Sequence, residues 1–198
     1  MRPIAPSKAE TAQLEPFEGL PLEGIHVPAT REDFENASRE ILTAGVAGFD
    51  TESKPTFAVG EKNHGPHVVQ FALRDKAFIF QLHRRDCRSF VSDLLQSPQV
   101  MKVGFGLQND LGLIRSKFGV VPHAILDLEQ VFRKKGYARQ IGVRAAVGVV
   151  LGRSFPKSKS VTTSNWAAPD LTPRQRLYAA NDAFAALRVM EALGLPDS

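Results

Sequence analysis

The sequence predicts an α/β fold: a mixed β-sheet, in which an antiparallel meander is continued by parallel strands, flanked by α-helices. Between residues 46 and 82 three β-rich runs are separated by short turn chemistry. From Asp86 onward the apolar period lengthens, and strand-like runs alternate with helical ones. Size agrees, because 198 residues with 43% hydrophobic content suffice for one sizeable core and are short for two.

Residues 1–24, with Pro3, Pro6, Pro16 and Pro21, read as an extended lead-in that packs loosely if at all, which leaves 25–198 as a single domain. A helix starts at Thr30, where Thr as N-cap and Asp33 three residues later resemble a capping box. Phe34, Ala37, Ile41 and Leu42 form its apolar stripe, and Gly45 ends it. Strands are expected over 46–51, 67–73 and 77–82, the last two joined by the turn Arg74-Asp75-Lys76. Phe90, Leu94 and Leu95 suit a helix that stops before Pro98; a buried strand over 100–105, a helix over 109–118 and a strand over 124–128 follow. Helical segments are expected over 128–135 and 143–151. The last helix runs over 173–193, with Thr172 before Pro173 as its start and Gly194 followed by Pro196 as its stop.

The single cysteine, Cys87, excludes an intrachain disulfide and fits a reducing cytoplasm, the expected location. The first 20 residues contain no apolar run, so neither a signal peptide nor a membrane span is expected there. Net charge is +4, unevenly spread: residues 1–45 hold 4 Lys/Arg against 8 Asp/Glu, and the remainder holds 21 against 13. The folded part is therefore basic. Arg84, Arg85, Lys134, Lys135, Lys157 and Lys159 are available to attract phosphates, although basic residues also simply solubilise a surface.

Asp50 and Glu52 are two apart at the end of a strand and so point to one face, behind the apolar Val46-Ala47-Gly48-Phe49. Side by side they raise one another's pKa and oppose folding unless a cation intervenes; the alternative is a polar sheet rim with Glu52 in solvent. Asp182 has Tyr178, Ala179, Ala185 and Ala186 at helical spacing, none cationic, and Tyr178 shares its face. It reads equally as a solvent-facing Asp beside a core Tyr. Asp110 follows Asn109 at a helix start, where negative charge is favoured in any case; it reads also as merely a helix-start residue with Asn109 as the cap. Gly104-Phe105-Gly106 is no dinucleotide fingerprint, because Asn109 stands where the third glycine belongs. There is no P-loop, and the five histidines show no metal-ligand spacing.

In order along the chain, Phe49-Asp50-Thr51-Glu52, Val103-Gly104-Phe105-Gly106-Leu107-Gln108-Asn109-Asp110-Leu111 and Tyr178-Ala179-Ala180-Asn181-Asp182-Ala183 resemble the three motifs of the DEDDy exonucleases. The resemblance is to the ribonuclease D and Werner-type branch of the ribonuclease H-like superfamily. The stretch from Lys157-Ser158-Lys159 through Thr163-Ser164-Asn165-Trp166 to Leu171-Thr172-Pro173 is similar to the lead-in to the last motif, and the likeness spans roughly 25–194. It implies a metal-dependent 3′-5′ exonuclease that hydrolyses terminal phosphodiester bonds of DNA or RNA to 5′-mononucleotides. Asp50, Glu52, Asp110 and Asp182 would hold two Mg²⁺ or Mn²⁺ ions, and Tyr178 would orient the attacking water. By the same analogy Thr51 and Glu52 would bind the 3′-OH, with Asn109 beside them, and Phe57, Phe105 and Trp166 are candidate stacking surfaces that read at least as well as core.

Two departures from the family pattern stand out. The sequence ends just after its last helix, so the helical domains that follow the nuclease in ribonuclease D, and the helicase of the Werner protein, are expected to be absent. Asn165 stands where many relatives carry Asp. The competing expectations are a non-catalytic nucleic-acid-binding module on the same fold and a nuclease restricted to very short oligonucleotides. Oligomeric state is left open by the sequence.

Overall fold

A computed structural model describes residues 3–56, 64–137 and 140–196. A short turn of helix, α1 (Lys8–Thr11), precedes β1 (Ile25–His26) and α2 (Arg31–Ala44). The capping box of Thr30 and Asp33 forms as expected, and Gly45 closes α2 in the left-handed conformation. The meander follows as β2 (Val46–Glu52), β3 (Val68–Ala72) and β4 (Ala77–Gln81), each antiparallel to the next. After α3 (Cys87–Gln96), the strand β5 (Met101–Gly104) leads to α4 (Gln108–Phe118), and β6 (Ile125–Asp127) to α5 (Leu128–Lys134). The chain ends through α6 (Val143–Ala146), a π-helical turn (Val147–Leu151), α7 (Lys159–Thr162) and the long α8 (Pro173–Ala192). The sheet order is β1-β4-β3-β2-β5-β6, with β1 parallel to β4 and β5 and β6 parallel to β2 and to each other.

Alternation along β2 gives the sheet two unlike faces. Phe49 turns with Phe71 and Phe80 toward α2 and α3, where they join Phe34, Leu94 and Leu95 in one buried cluster. Val46, Gly48, Asp50 and Glu52 turn the other way, toward α8. There contact is at the level of the backbone, because a Cβ on Gly48 would lie 1.9 Å from the carbonyl oxygen of Ala183. Ala179, Ala180, Ala183 and Ala186 are all buried along that helix. Small residues on both sides bring the last helix onto the central strand.

Lys102 on β5 is fully buried. Its ammonium donates to the carbonyls of Leu94 (3.2 Å) and Ser97 (2.8 Å), satisfying the C-terminal end of α3. Burial holds its pKa down at about 8.

Strand and helix bounds fall within a residue or two of expectation, except that the helix expected over 143–151 is split into α6 and a π turn, while α1, β1 and α7 were not anticipated. The lead-in departs most. Expected to pack loosely, it remains largely extended but is fixed in place. Phe17 donates its N–H to Ser154 O and Ser154 donates to Glu15 O, both at 2.8 Å, and the Phe17 ring lies 5.5 Å from Phe155 and 5.9 Å from Phe184. The Leu20 N–H donates to Asn181 Oδ1 at 2.7 Å, and Leu20 is buried. The prolines limit helix to the one turn of α1 but leave the intervening N–H groups free to bond, and Phe17 and Leu20 give the segment apolar area to bury.

Candidate active site

The fold gathers carboxylates at the end of β2. Asp50, Glu52 and Asp182 each place an oxygen within 4.8 Å of the others. The cluster is shielded: Asp182 is 4% and Glu52 9% exposed. Burial, followed by the neighbouring Asp182 and Asp110, pushes the Asp50 carboxyl up to about 8; burial, followed by Asp50 and Asp182, pushes Glu52 up to about 10. Asp182 is raised by burial too, although the cation described next opposes the shift.

That cation corrects the expectation drawn from helical spacing. Asp182 has no cationic neighbour on its own helix, but Lys157, from the segment before α7, reaches it with Nζ 2.6 Å from Oδ2. Burial disfavours the ammonium, yet Asp182 and Asp50 outweigh it and raise its pKa. Lys157 also lies over the Tyr178 ring, 5.6 Å from its centroid. Three acids here meet one lysine, and with no further cation two of them are kept protonated. Among the described residues the Oδ1 atom of Asp182 is buried without a hydrogen-bond partner, as is the amide of Gln70, which stands opposite Asp50 on β3. Converging hard oxygens, acids in excess of cations and an unpartnered buried acceptor fit a divalent cation such as Mg²⁺ or Mn²⁺.

Asp110 reaches the same end of the sheet by another route. Gly106, in a left-handed conformation that favours glycine, opens a turn whose amides are taken by Asp127: its carboxylate accepts from Gly106 N–H (2.9 Å) and Leu107 N–H (3.0 Å). Asn109 is therefore not the cap; it lies exposed inside α4, which begins at Gln108. Asp127 thus holds the turn before α4 and also caps α5, and Asp110 accepts a short hydrogen bond from the Thr51 hydroxyl. Burial raises the Asp110 pKa and the Thr51 bond opposes that rise. Thr51 alternates away from Asp50 and Glu52, so Asp110 flanks the three-acid cluster instead of joining it.

Tyr178 is half-buried, and its hydroxyl accepts from Thr162 Oγ1 at 2.8 Å. Burial, followed by Asp182, pushes the phenol up to about 12, so it stays protonated near neutrality. Trp166 is not a stacking surface. It is 1% exposed, packs 6.0 Å from the Tyr178 ring and donates its indole N–H to Thr162 O (3.2 Å). A large ring with one polar edge is better satisfied in the core than in a cleft. Phe105 is half-buried, stacked at 6.3 Å on Phe132. Phe57 lies outside the described residues. Asn165, in the position where Asp was expected, accepts from Ala167 N–H (3.2 Å) and its backbone carbonyl takes the Gln175 amide (3.3 Å).

Spacing alone could not have found Lys157, Thr162 or Asp127 as neighbours of these groups. Only the short Lys157-Ser158-Lys159 basic stretch drew attention to that part of the chain.

The mixed sheet has the ribonuclease H-like fold, and the profile of the 3′-5′ exonuclease family matches residues 25–195; the chain belongs to that family. Among its relatives, the bifunctional 3′-5′ exonuclease/ATP-dependent helicase WRN of Mus musculus is 28% identical over 81% of this chain. The chain spans only 12% of that relative's length. Among solved structures, the Nibbler EXO domain of Aedes aegypti superposes with a TM-score of 0.75 at 21% identity, covering 91% of this chain and 96% of that one. Trypanosoma brucei RNase D in complex with RNA U12 gives 0.74 at 20% identity, covering 85% and 62%.

Proposed function

We propose that the chain is a metal-dependent 3′-5′ exonuclease that hydrolyses the terminal phosphodiester bond of DNA or RNA and releases a 5′-mononucleotide. The convergence of Asp50, Glu52 and Asp182 in a shielded site with more carboxyl groups than cations carries the reading. Family membership supports it, and the RNA held by the trypanosomal RNase D supports a nucleic-acid substrate.

Asp50, Glu52 and Asp182 would hold divalent cations, Mg²⁺ or Mn²⁺, and Asp110 would complete a two-ion set from the Thr51 side. Bound there, the ions supply the positive charge that offsets charge developing on the phosphoryl oxygens. Tyr178 acts as a donor. With its hydroxyl held by Thr162 and its pKa near 12, it orients the attacking water and does not deprotonate it. Lys157, beside Asp182, adds positive potential where the phosphate arrives. Thr51 and Glu52 would receive the terminal 3′-OH through their backbone.

Asp182→Ala tests the reading. A 5′-labelled oligonucleotide in Mg²⁺ or Mn²⁺ should be shortened stepwise from its 3′ end by the unaltered chain. The variant should lose that activity by about 10³-fold or more while still folding. Metal-dependent cleavage at the original rate by the variant would remove the assignment.

A further inference from the structure

Beside the carboxylates lies a cleft of about 540 Å³, within the ~300–1,000 Å³ range of small-ligand sites. Tyr178 and Asp182 form its inner end, and Lys157 and Arg174 bring positive charge to its rim. Its apolar wall is made by Phe17 and Phe155. Thr51, Phe105 and Asn109, the other expected substrate contacts, do not line it.

Phe17 belongs to the segment before residue 25, where the family match begins. The segment is fastened at both sides of the cleft: by the paired bonds of Glu15 and Phe17 with Ser154, and by the Leu20 N–H to Asn181 Oδ1. Asn181 returns a bond to Leu20 O at 3.3 Å. Gly19 allows this approach, because a Cβ there would lie 2.4 Å from Asn181 Oδ1, in a side chain already committed to Leu20.

We infer that residues 15–20 belong to the substrate site, completing a subsite for the nucleotide on the far side of the scissile phosphate from Thr51. Its base would lie against Phe17 and Phe155, and its phosphate between Lys157 and Arg174. The inference rests on the proposed nuclease reading. Charge and shape select the occupant: an apolar aromatic wall suits a base, two cations suit a phosphate, and the cleft opens directly onto the acidic cluster where a strand would be cut. The cleft reaches the cluster at Asp182, on the α8 side of β2, away from the side to which the Thr51 side chain turns.

Fluorescence anisotropy with a 5′-labelled single-stranded hexanucleotide, as DNA and as RNA, tests this on the full chain, with Ca²⁺ in place of Mg²⁺ to hold cleavage back. Phe17→Ala should weaken binding by about tenfold, the scale of one lost base-aromatic contact. Gly19→Ala, which pushes the segment carrying Phe17 off Asn181, should weaken it in the same direction. Arg174 is exposed, so Arg174→Ala keeps the test open should Phe17→Ala fail to fold. It should lower the slope of log K against log salt by about 0.7, the value for one phosphate contact on a single strand. Unchanged affinity in folded Phe17→Ala together with an unchanged salt slope in Arg174→Ala overturns the inference and leaves the nuclease reading standing. No binding by the unaltered chain overturns both.

Discussion

The two faces of the central sheet are built on opposite principles. Toward α2 and α3, large rings such as Phe49, Phe71 and Phe80 hold the helices away from the strands. Toward α8, Gly48 meets the backbone of Ala183, and at the end of that contact Asp182 arrives beside Asp50 and Glu52. A face packed through bulk tolerates change, since neighbours relax around a smaller ring. A face packed backbone to backbone has no slack, and it delivers an acid from one element to acids on another within a few ångströms. The same contrast appears in the charges buried behind each face. Lys102 is satisfied by carbonyls at the end of α3, whereas the three clustered acids meet, among the described residues, a single cation, Lys157.

The largest effect is expected from pH on the chelator-treated protein. Asp50 and Glu52 hold protons in the fold where the unfolded chain has released them, so stability present below the ordinary carboxylate range is lost as pH rises through about 8 and about 10. Lys102 runs the other way. Its lowered pKa, about 8 against 10.5, means that stability rises between those values, because only the unfolded chain then holds the proton. Melting curves in EDTA from about pH 5 to pH 8 should therefore fall, and millimolar Mn²⁺ should restore most of the loss. A flat profile with no metal effect would remove the electrostatic half of the comparison.

Next comes Gly48→Ala, which forces a Cβ into the Ala183 carbonyl and should cost about 3 kcal/mol or more in urea unfolding. A cost under about 1 kcal/mol would mean that α8 can back away, against the description of that face. Lys102→Ala should cost about 2–3 kcal/mol by leaving two carbonyls unsatisfied and a cavity behind, with cleavage per folded molecule unchanged. Phe71→Leu on the opposite face should cost only about 1–1.5 kcal/mol. The smallest change is Thr172→Ala, which removes the cap of α8 and should cost about 1 kcal/mol, measured the same way.

Much of this was readable in the chain. Local rules sufficed for the meander, whose alternation and turns are written within a few residues, and for α2 and α8, whose caps at Thr30 and Thr172 sit where expected. They failed where the partner lies far off in sequence. The 143–151 segment reads as one helix, yet its second half is a π turn. Trp166, a candidate stacking surface that reads better as core, is core, but its indole N–H bond to Thr162 O could not be read from the chain. Residues 15–20 look unfastened because their anchors, Ser154 and Asn181, belong to distant elements.

The sequence by itself determined the order of elements and the candidate acids, because capping, alternation and motif order are short-range properties of the chain. Only the tertiary structure decided what each acid faces. Lys157 reaches Asp182 from another segment, Thr51 turns Asp110 to one side, and Asp127 holds the turn before α4, which starts at Gln108 with Asn109 inside it. Those contacts depend on how closely α8 and α4 approach the end of β2. That distance is set by Gly48, Ala183 and the turn at Gly106, whose small size has meaning only once the elements are packed together.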